Sequence, residues 1–190
     1  MSIVIVDSGG ANLTSIKNAF EKISSQAVVS IDENIISNAS YVILPGVGSA
    51  QMVMQSLISN NLVNVIKSLT QPVLGICVGM QILFNTSEEQ NCKCLGLIND
   101  DIKKFNLPKD KAVPHMGWNK VIFESEQLLS NYYYFANSYY APITKDTTGL
   151  CEYGIEFSAT VQKDNFFGCQ FHPEKSSNSG IKFIQNFLKY

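Results

Sequence analysis

The sequence predicts an α/β fold whose central sheet is mixed but mainly parallel and is flanked by helices. Three apolar, β-branched runs in the first half, at residues 3–6, 41–44 and 73–76, each end in a Gly-containing turn and precede a helical pattern. This alternation is typical of βαβ units, which build parallel sheets. The pattern changes to short strand-like segments from about residue 113, so we expect a more antiparallel second part.

Apolar residues at helical spacing follow the first strands. The pattern is clear at Ile16, Ala19, Phe20 and Ile23, and it is less regular over residues 52–57 and 62–69. Val28 and Val29 are compatible with one more short strand. In the second half we expect strands at residues 121–123, 132–135, 158–162 and 166–171, and a closing helix over residues 179–188. No linker separates the halves, so we expect a single domain over residues 1–190.

Composition and charge exclude several classes of partner. The net charge is −2 and no basic cluster occurs, so the electrostatic footprint of a nucleic-acid or anionic-membrane binder is missing. Charged residues make up 16% of the chain, against about 25% in an ordinary globular protein. This low fraction indicates that another protein chain covers part of the surface.

The opening residues and the cysteines indicate a reducing compartment. The chain starts directly with an apolar strand, without a basic leader or a spanning apolar run, so we expect a cytoplasmic protein that does not enter a membrane. Its five cysteines lack the paired C-x-x-C spacing of zinc sites and redox motifs. We therefore expect reduced thiols, no metal site and no cofactor.

Residues 75–79 read Gly-Ile-Cys-Val-Gly and connect a predicted strand to a predicted helix. That is the context of a nucleophile elbow, in which small residues flank a strained nucleophile, with Cys77 here in the place of serine. The N-terminal end of the following helix favours the thiolate form of Cys77. A buried structural cysteine is the alternative at this position, and it is the expected state of Cys92, Cys94, Cys151 and Cys169.

A cysteine nucleophile needs a base within hydrogen-bond reach and a third group that orients the base. Of the two histidines, His172 directly follows a predicted strand, and Glu174 lies two residues further on, beyond a proline that fixes the chain direction. We therefore predict a triad of Cys77, His172 and Glu174, although His172 considered alone could also be a surface loop residue. His115 has no carboxylate near it in the sequence, so we interpret it as a positioning or interface residue.

The attacked carbonyl group also needs hydrogen-bond donors for its developing negative charge. One predicted donor is the backbone N–H of Val78, the residue after the nucleophile. We expect the second in the Pro-Gly-Val-Gly turn at residues 45–48, where the glycines allow the Val47 N–H to face the site. Taken alone, such a turn is more often a simple connection from strand to helix.

These segments together resemble the class I (triad) glutamine amidotransferases, and within that family they are closer to the glutaminase subunits of imidazole glycerol phosphate synthase. The resemblance covers essentially the whole chain. The elbow and the Phe-His-Pro-Glu segment at residues 171–174 identify the class, whereas Pro-His-Met-Gly-Trp-Asn at residues 114–119 identifies the subfamily. The other matching segments are residues 7–12 with Ser15, residues 44–48, residues 133–135 and residues 170–176.

The resemblance implies an enzyme that hydrolyses glutamine to glutamate and ammonia, with Cys77 as nucleophile, His172 as base and then acid, and Glu174 as orienting carboxylate. It implies a (βα)₈-barrel cyclase as partner, to which the ammonia is channelled to make imidazole glycerol phosphate in histidine biosynthesis. The residues implied to hold glutamine are Gly48, Gln81, Glu89, Ser138 and Tyr139. Those implied to face the partner are Asn12, Trp118, Tyr134 and Lys175.

Two positions depart from the family pattern. Val78 replaces a more usual leucine, a mild change because only its backbone is used, and Asn137 stands where the family mostly has histidine. Because Asn137 lies in the segment beside the predicted substrate site, a paralogous subunit that supplies ammonia for amidation of a surface-polysaccharide sugar is the first alternative. A stand-alone cysteine hydrolase would not need the Phe-His-Pro-Glu segment. A catalytically inactive interaction subunit would not need an intact triad.

Overall fold

The structure is a computed structural model that describes residues 1–9, 12–23, 26–46, 48–123 and 131–190. The strands are β1 (Ile3–Val6), β2 (Ala27–Ser30), β3 (Tyr41–Gly46), β4 (Val73–Cys77), β5 (Thr86–Ser87), β6 (Cys92–Lys93), β7 (Asp101–Lys104), β8 (His115–Phe123), β9 (Asn131–Asn137), β10 (Tyr139–Tyr140), β11 (Thr147–Glu152), β12 (Glu156–Lys163) and β13 (Phe166–Cys169). The α-helices are α1 (Leu13–Glu21), α2 (Glu33–Ser37), α3 (Ala50–Ser59), α4 (Leu62–Lys67), α5 (Val78–Gln81) and α6 (Ser177–Phe187), and two 3-10 helices span Glu89–Asn91 and Pro173–Lys175.

Nine of these strands form one sheet in the order β2-β1-β3-β4-β13-β12-β11-β8-β9. The strands from β2 to β13 pair in parallel. From β13 onwards every pairing is antiparallel. The last strand before α6, β13, therefore lies at the centre of the sheet, next to the strand that ends at Cys77. This arrangement confirms the predicted mixed sheet and its antiparallel second part.

The parallel strands have the sequences of strands that are covered on both faces. Every residue of β1, β3 and β4 is buried, as expected where helices pack on both sides of a parallel sheet. β8 and β9 instead alternate buried and accessible residues in much of their length, so one of their faces is open. The core continues through the antiparallel part, where Phe135, Phe157 and Phe171 are completely buried.

A second, four-stranded sheet in the order β10-β7-β5-β6 lies beside the main one and was not expected from the sequence. It carries the 3-10 helix Glu89–Asn91 and brings that segment towards the N-terminus of α3. Three of its strands contain only two residues each, which is too short for a periodic pattern. α2 and β11 were also not expected.

The predicted strands and most of the predicted helices are present. α5 ends at Gln81 and is shorter than the predicted segment, whereas α6 spans Ser177–Phe187. Among the residues that the structure describes, no helix is both long and apolar enough to cross a membrane.

Candidate active site

Cys77 is the last residue of β4 and directly precedes α5, in a backbone conformation of φ 55° and ψ −111° that side chains other than glycine seldom adopt. Strain of this kind is held by the surrounding packing. A Cβ atom on Gly79 would collide with the carbonyl oxygen of Leu44, and one on Gly75 would collide with the backbone of Gly79. The elbow therefore requires glycine at both positions, as the sequence predicted.

His172 is held beside the elbow by backbone and side-chain contacts. Its N–H donates to the Tyr134 carbonyl oxygen at 2.9 Å. The Ser176 hydroxyl donates to the His172 carbonyl oxygen at 2.6 Å and accepts from the Tyr134 N–H at 2.9 Å. Gly180 of α6 packs directly on the Pro173 carbonyl group, where a Cβ atom would not fit. These contacts fix the position of the imidazole ring relative to the sheet.

The structure brings the three predicted triad residues together. His172 Nδ1 lies 2.8 Å from Glu174 Oε1, and the side chain of Glu174 is only 1% exposed. Because Nδ1 is engaged with Glu174, Nε2 is left for the hydrogen bond to the Cys77 thiol. Burial alone would lower the pKa of His172, but the hydrogen bonds and charges of Cys77 and Glu174 together raise that pKa to about 10. The ring of His172 is therefore protonated at neutral pH.

The structure describes one of the two predicted oxyanion donors. Val78 is the first residue of α5, and N–H groups at this position have no acceptor inside a helix, so its N–H is available. Val47, the second predicted donor, lies outside the residues that the structure describes. Its neighbour Gly48 has a φ of +93°, a left-handed conformation that favours glycine.

A cavity of about 250 Å³ opens at the Cys77 thiol. All five residues predicted to hold glutamine line it, together with Val78, Pro114, Ala136 and Asn137, and these five are Gly48, Gln81, Glu89, Ser138 and Tyr139. The Glu89 carboxylate is fixed by the N–H of Ala50, 2.7 Å from Oε2. Burial and the carboxylates of Glu89 and Glu88 raise the pKa of the Tyr139 phenol. The cavity thus presents a carboxylate and a protonated phenol to a polar ligand.

Asn137, the position that departs from the family pattern, is 5% exposed and lines the same cavity. Its Nδ2 donates to the Tyr139 carbonyl oxygen at 2.9 Å. Its Oδ1 is buried and has no hydrogen-bond partner within the described part of the chain. An unpaired buried acceptor is costly, so this residue departs from the family pattern at a cost in stability.

His115 belongs to the core and not to an interface. It is 3% exposed, and its ring stacks between Phe135 and Tyr153 with centroids at 4.7 Å and 4.0 Å. Burial, and secondarily the charge of Lys111, lower the pKa of His115 to about 4. The ring is therefore neutral, and the interface interpretation of this residue is wrong.

Three of the four residues predicted to face a partner form one cluster outside the cavity. Trp118 is 53% exposed and meets the Tyr134 ring edge to face at 6.2 Å, and Lys175 Nζ lies 5.9 Å from the centre of that ring. Asn12 contacts the triad instead, where its Nδ2 donates to Glu174 Oε1 at 3.3 Å. Asn12 thus contacts the carboxylate of the predicted triad, a contact that its position in the sequence did not indicate.

Gln170 belongs to the matching segment at residues 170–176, and the sequence assigned it no role. In the structure its Nε2 lies 3.7 Å from Cys77 Sγ in hydrogen-bonding geometry. The signal that could have identified it is its position two residues before His172. Residues i and i+2 of an extended segment point to the same side, so both side chains reach the thiol.

A family model described as "Glutamine amidotransferase class-I" matches residues 4–190. The curated relatives include the "Imidazole glycerol phosphate synthase subunit HisH" of Shewanella sediminis, which is 46% identical over 98% of this chain and 90% of its own length. The protein of the same name from Escherichia coli (strain K12) is 44% identical over the full length of both chains.

Solved structures share the fold at much lower identity. One described as "Crystal structure of glutamine amidotransferase" superposes with a TM-score of 0.78 at 14% identity and covers 98% of this chain and 97% of its own. The "Structure of PurLQS from Thermotoga maritima" gives a TM-score of 0.72 at 17% identity, over 100% of this chain and 97% of its own. The overall fold of this chain is thus shared with these solved structures.

Proposed function

This chain belongs to the glutamine amidotransferase class-I family, and we infer that it is the glutaminase subunit of imidazole glycerol phosphate synthase. It hydrolyses glutamine to glutamate and ammonia, and a partner subunit uses the ammonia in histidine biosynthesis. The observation that carries this proposal is the contact of Cys77 with both His172 and a polar cavity. The naming of relatives more than 40% identical over nearly their whole length supports the pathway.

The geometry supports a two-stage acyl transfer. Glutamine enters the cavity with its carboxamide carbon against the Cys77 thiolate, which attacks and forms the S–C bond. The Val78 N–H donates to the oxygen of the tetrahedral intermediate. The protonated His172 gives its proton to the leaving nitrogen, so ammonia departs and a thioester remains. His172, now neutral, takes a proton from a water molecule, and the attack of this water on the thioester releases glutamate and restores the thiolate.

Several cavity groups suit the two ends of glutamine. The Glu89 carboxylate is an acceptor for the substrate's N–H groups. Gln81 Oε1 is a further acceptor, because its Nε2 already donates to Gln170 and to the Tyr139 carbonyl oxygen. Gly48 and Ser138 complete the wall. We assign these residues to substrate binding and leave the chemistry to the triad.

We propose a (βα)₈-barrel cyclase as the partner, docked on the surface that Trp118, Tyr134 and Lys175 form. Trp and Tyr are enriched among residues that anchor protein interfaces. The Tyr134 backbone is hydrogen bonded to both His172 and Ser176, so this surface is continuous with the triad. Ammonia released at Cys77 would then leave close to the docked subunit.

The decisive experiment compares two ammonia sources in the complex of this chain with the cyclase. Cys77→Ala should abolish glutamine-dependent synthesis and leave synthesis from added ammonium salts nearly unchanged, because the thiol makes ammonia but does not use it. Cys151→Ala, which removes another buried cysteine outside the site, is the matched control and should retain both activities. Near-normal glutamine hydrolysis by Cys77→Ala would contradict the nucleophile assignment.

The pathway is tested separately. The chain should complement a histidine auxotroph that lacks the glutaminase subunit. If complementation failed and the chain instead bound a second barrel paralogue, the subunit for sugar amidation would be the better assignment.

A further inference from the structure

Buried side-chain amides form a connected series of hydrogen bonds that ends on the sulfur of Cys77. Gln81 Nε2 donates to the Tyr139 carbonyl oxygen at 3.1 Å and to Gln170 Oε1 at 2.9 Å. Gln170 Nε2 in turn donates to Cys77 Sγ at 3.7 Å. Gln170 is completely buried and Gln81 is 2% exposed. The N–H groups of these two amides that contact Tyr139, Gln170 and Cys77 are thus held by protein partners.

The series fixes which end of the Gln170 amide faces the sulfur. A backbone carbonyl oxygen can only accept, so Gln81 must turn its NH₂ group towards Tyr139. The second N–H of that group then needs an acceptor, which only the oxygen of the Gln170 amide supplies. The NH₂ group of Gln170 is therefore directed at Cys77. Asn137 Nδ2 donates to the same Tyr139 carbonyl oxygen at 2.9 Å and holds it in place.

The sulfur has a need for such a donor. Cys77 is 5% exposed, and a buried anion is costly unless hydrogen bonds stabilise it. His172 supplies one donor to the thiolate. The helix that follows Cys77 has only four residues, so its dipole contributes less than the sequence suggested, because the macrodipole sums over aligned peptide units. A second directed donor beside the sulfur is thus a substantial part of its environment.

We propose that Gln170 is a further catalytic residue, whose N–H donates to the Cys77 thiolate and stabilises it both before attack and as the leaving group when the thioester is hydrolysed. The proposal rests on the function proposed above, in which Cys77 is the nucleophile. Gln81 and the Tyr139 carbonyl group act as positioning groups, because they reach the sulfur only through Gln170.

Several other ionisable groups lie around the Cys77 thiol. His172 contacts the sulfur, and Glu174 lies behind that ring. Cys169 of β13 is completely buried next to Cys77, and burial, with the charges of Glu174 and Cys77, raises the pKa of Cys169 well above its usual value. Glu89 lines the same cavity. Substitution of Gln170 leaves all these groups in place, so a change in the titration of Cys77 would come from the amide.

The test is the rate of Cys77 alkylation by iodoacetamide as a function of pH, with the modified residue identified by mass spectrometry. Gln170→Leu removes the donor at similar size, and Gln170→Glu keeps the shape but places carboxylate oxygens against the sulfur. We expect the Cys77 pKa from the alkylation profile to rise by about one unit or more in both variants. We also expect kcat to fall about 10- to 100-fold with little change in KM, as for a lost hydrogen bond to a charged group.

Gln162→Leu is the matched control, since Gln162 lies on the adjacent β12 and lines a different cavity. It should give the profile of the unmodified chain. Should Gln170→Leu fail to fold, the isosteric Gln170→Glu variant decides alone. Alkylation profiles that superpose on that of the unmodified chain would overturn the proposal, and so would a rise in KM with unchanged kcat. In either case glutamine hydrolysis that still depends on Cys77 would leave the proposed function intact.

Discussion

At the scale of single residues, the two histidines of this chain have opposite environments. His172 contacts a thiol and a carboxylate that favour its charged form. His115 is buried between two aromatic rings, and this burial, together with the charge of Lys111, disfavours its charged form. The pKa values differ accordingly, at about 10 for His172 and about 4 for His115. Their substitution should therefore affect different properties of the protein.

His172→Ala should lower kcat for glutamine hydrolysis by several orders of magnitude, because the members of such a triad act as a unit. His115→Phe, which fills the aromatic slot, should leave kcat within about threefold of the unmodified chain, because His115 does not touch the thiol. Steady-state kinetics of both variants show which of the two histidines is needed for glutamine hydrolysis. A larger loss of kcat in His115→Phe would show that the base has been misassigned.

His115 should make the fold sensitive to mild acid. Its pKa is depressed in the folded chain, so the unfolded chain binds more protons and stability is lost as the pH falls from about 6.5 towards about 4. By this linkage the free energy of unfolding should be lower at pH 5 by about 2 kcal/mol. Urea unfolding at pH 7 and pH 5 measures it. The difference should largely disappear in His115→Phe, and an equal loss in that variant would exclude His115 as the cause.

At the scale of elements, the base is positioned by the contact between α6 and the 3-10 helix Pro173–Lys175. Gly180 is the point of closest approach. In an exposed helix a change from glycine to alanine stabilises by about 1 kcal/mol. Here the added methyl group would push the Pro173 carbonyl group away and move His172 and Glu174 with it.

Gly180→Ala should therefore lower kcat by about tenfold or more, since small misplacements of catalytic groups have large effects, and it should reduce stability in spite of the better helix propensity. Ser179→Ala, one position earlier on the same helix, is the control and should change neither property strongly. Thermal unfolding measures the stability of each variant, and glutaminase assays measure its kcat. A more stable and fully active Gly180→Ala variant would mean that the contact can relax at no cost.

Local sequence patterns were sufficient to predict the elbow and the contact between His172 and Glu174. The elbow needs its glycines within two residues of Cys77, and Glu174 reaches His172 across a single proline, so both could be predicted. The small sheet could not, because strands such as Thr86–Ser87 carry no periodicity. The contact of Gln170 with Cys77 depends on the pairing of β13 with β4, which no local pattern specifies.

At the scale of the whole molecule, the active site lies close to the surface proposed for docking. A subunit that hydrolysed glutamine without an acceptor would waste the glutamine. Because the triad is already complete, we expect another part of the site to regulate the activity. The peptide at Pro45-Gly46-Val47-Gly48 is the candidate, since its glycines allow a second oxyanion donor to turn towards the site only when docking favours it. Loss of one such donor costs about 10²–10³ in rate.

The isolated chain should accordingly be a poor glutaminase, activated by the cyclase and activated further when the cyclase holds its acceptor nucleotide. Glutamine hydrolysis measured for the chain alone, for the complex and for the complex with nucleotide tests this expectation. Cys77→Ala in the full complex gives the background rate. Equal rates under all three conditions would rule out control by docking.

The central position of β13 also has a consequence for biosynthesis of the enzyme. A ribosome releases β4 and the Cys77 elbow long before it releases β13 and then His172. Until then the nucleophile has no base and the sheet lacks its central strand between β4 and β12. Nascent chains that still lack β13 and His172 should therefore consume no glutamine, so the order of synthesis itself delays the activity.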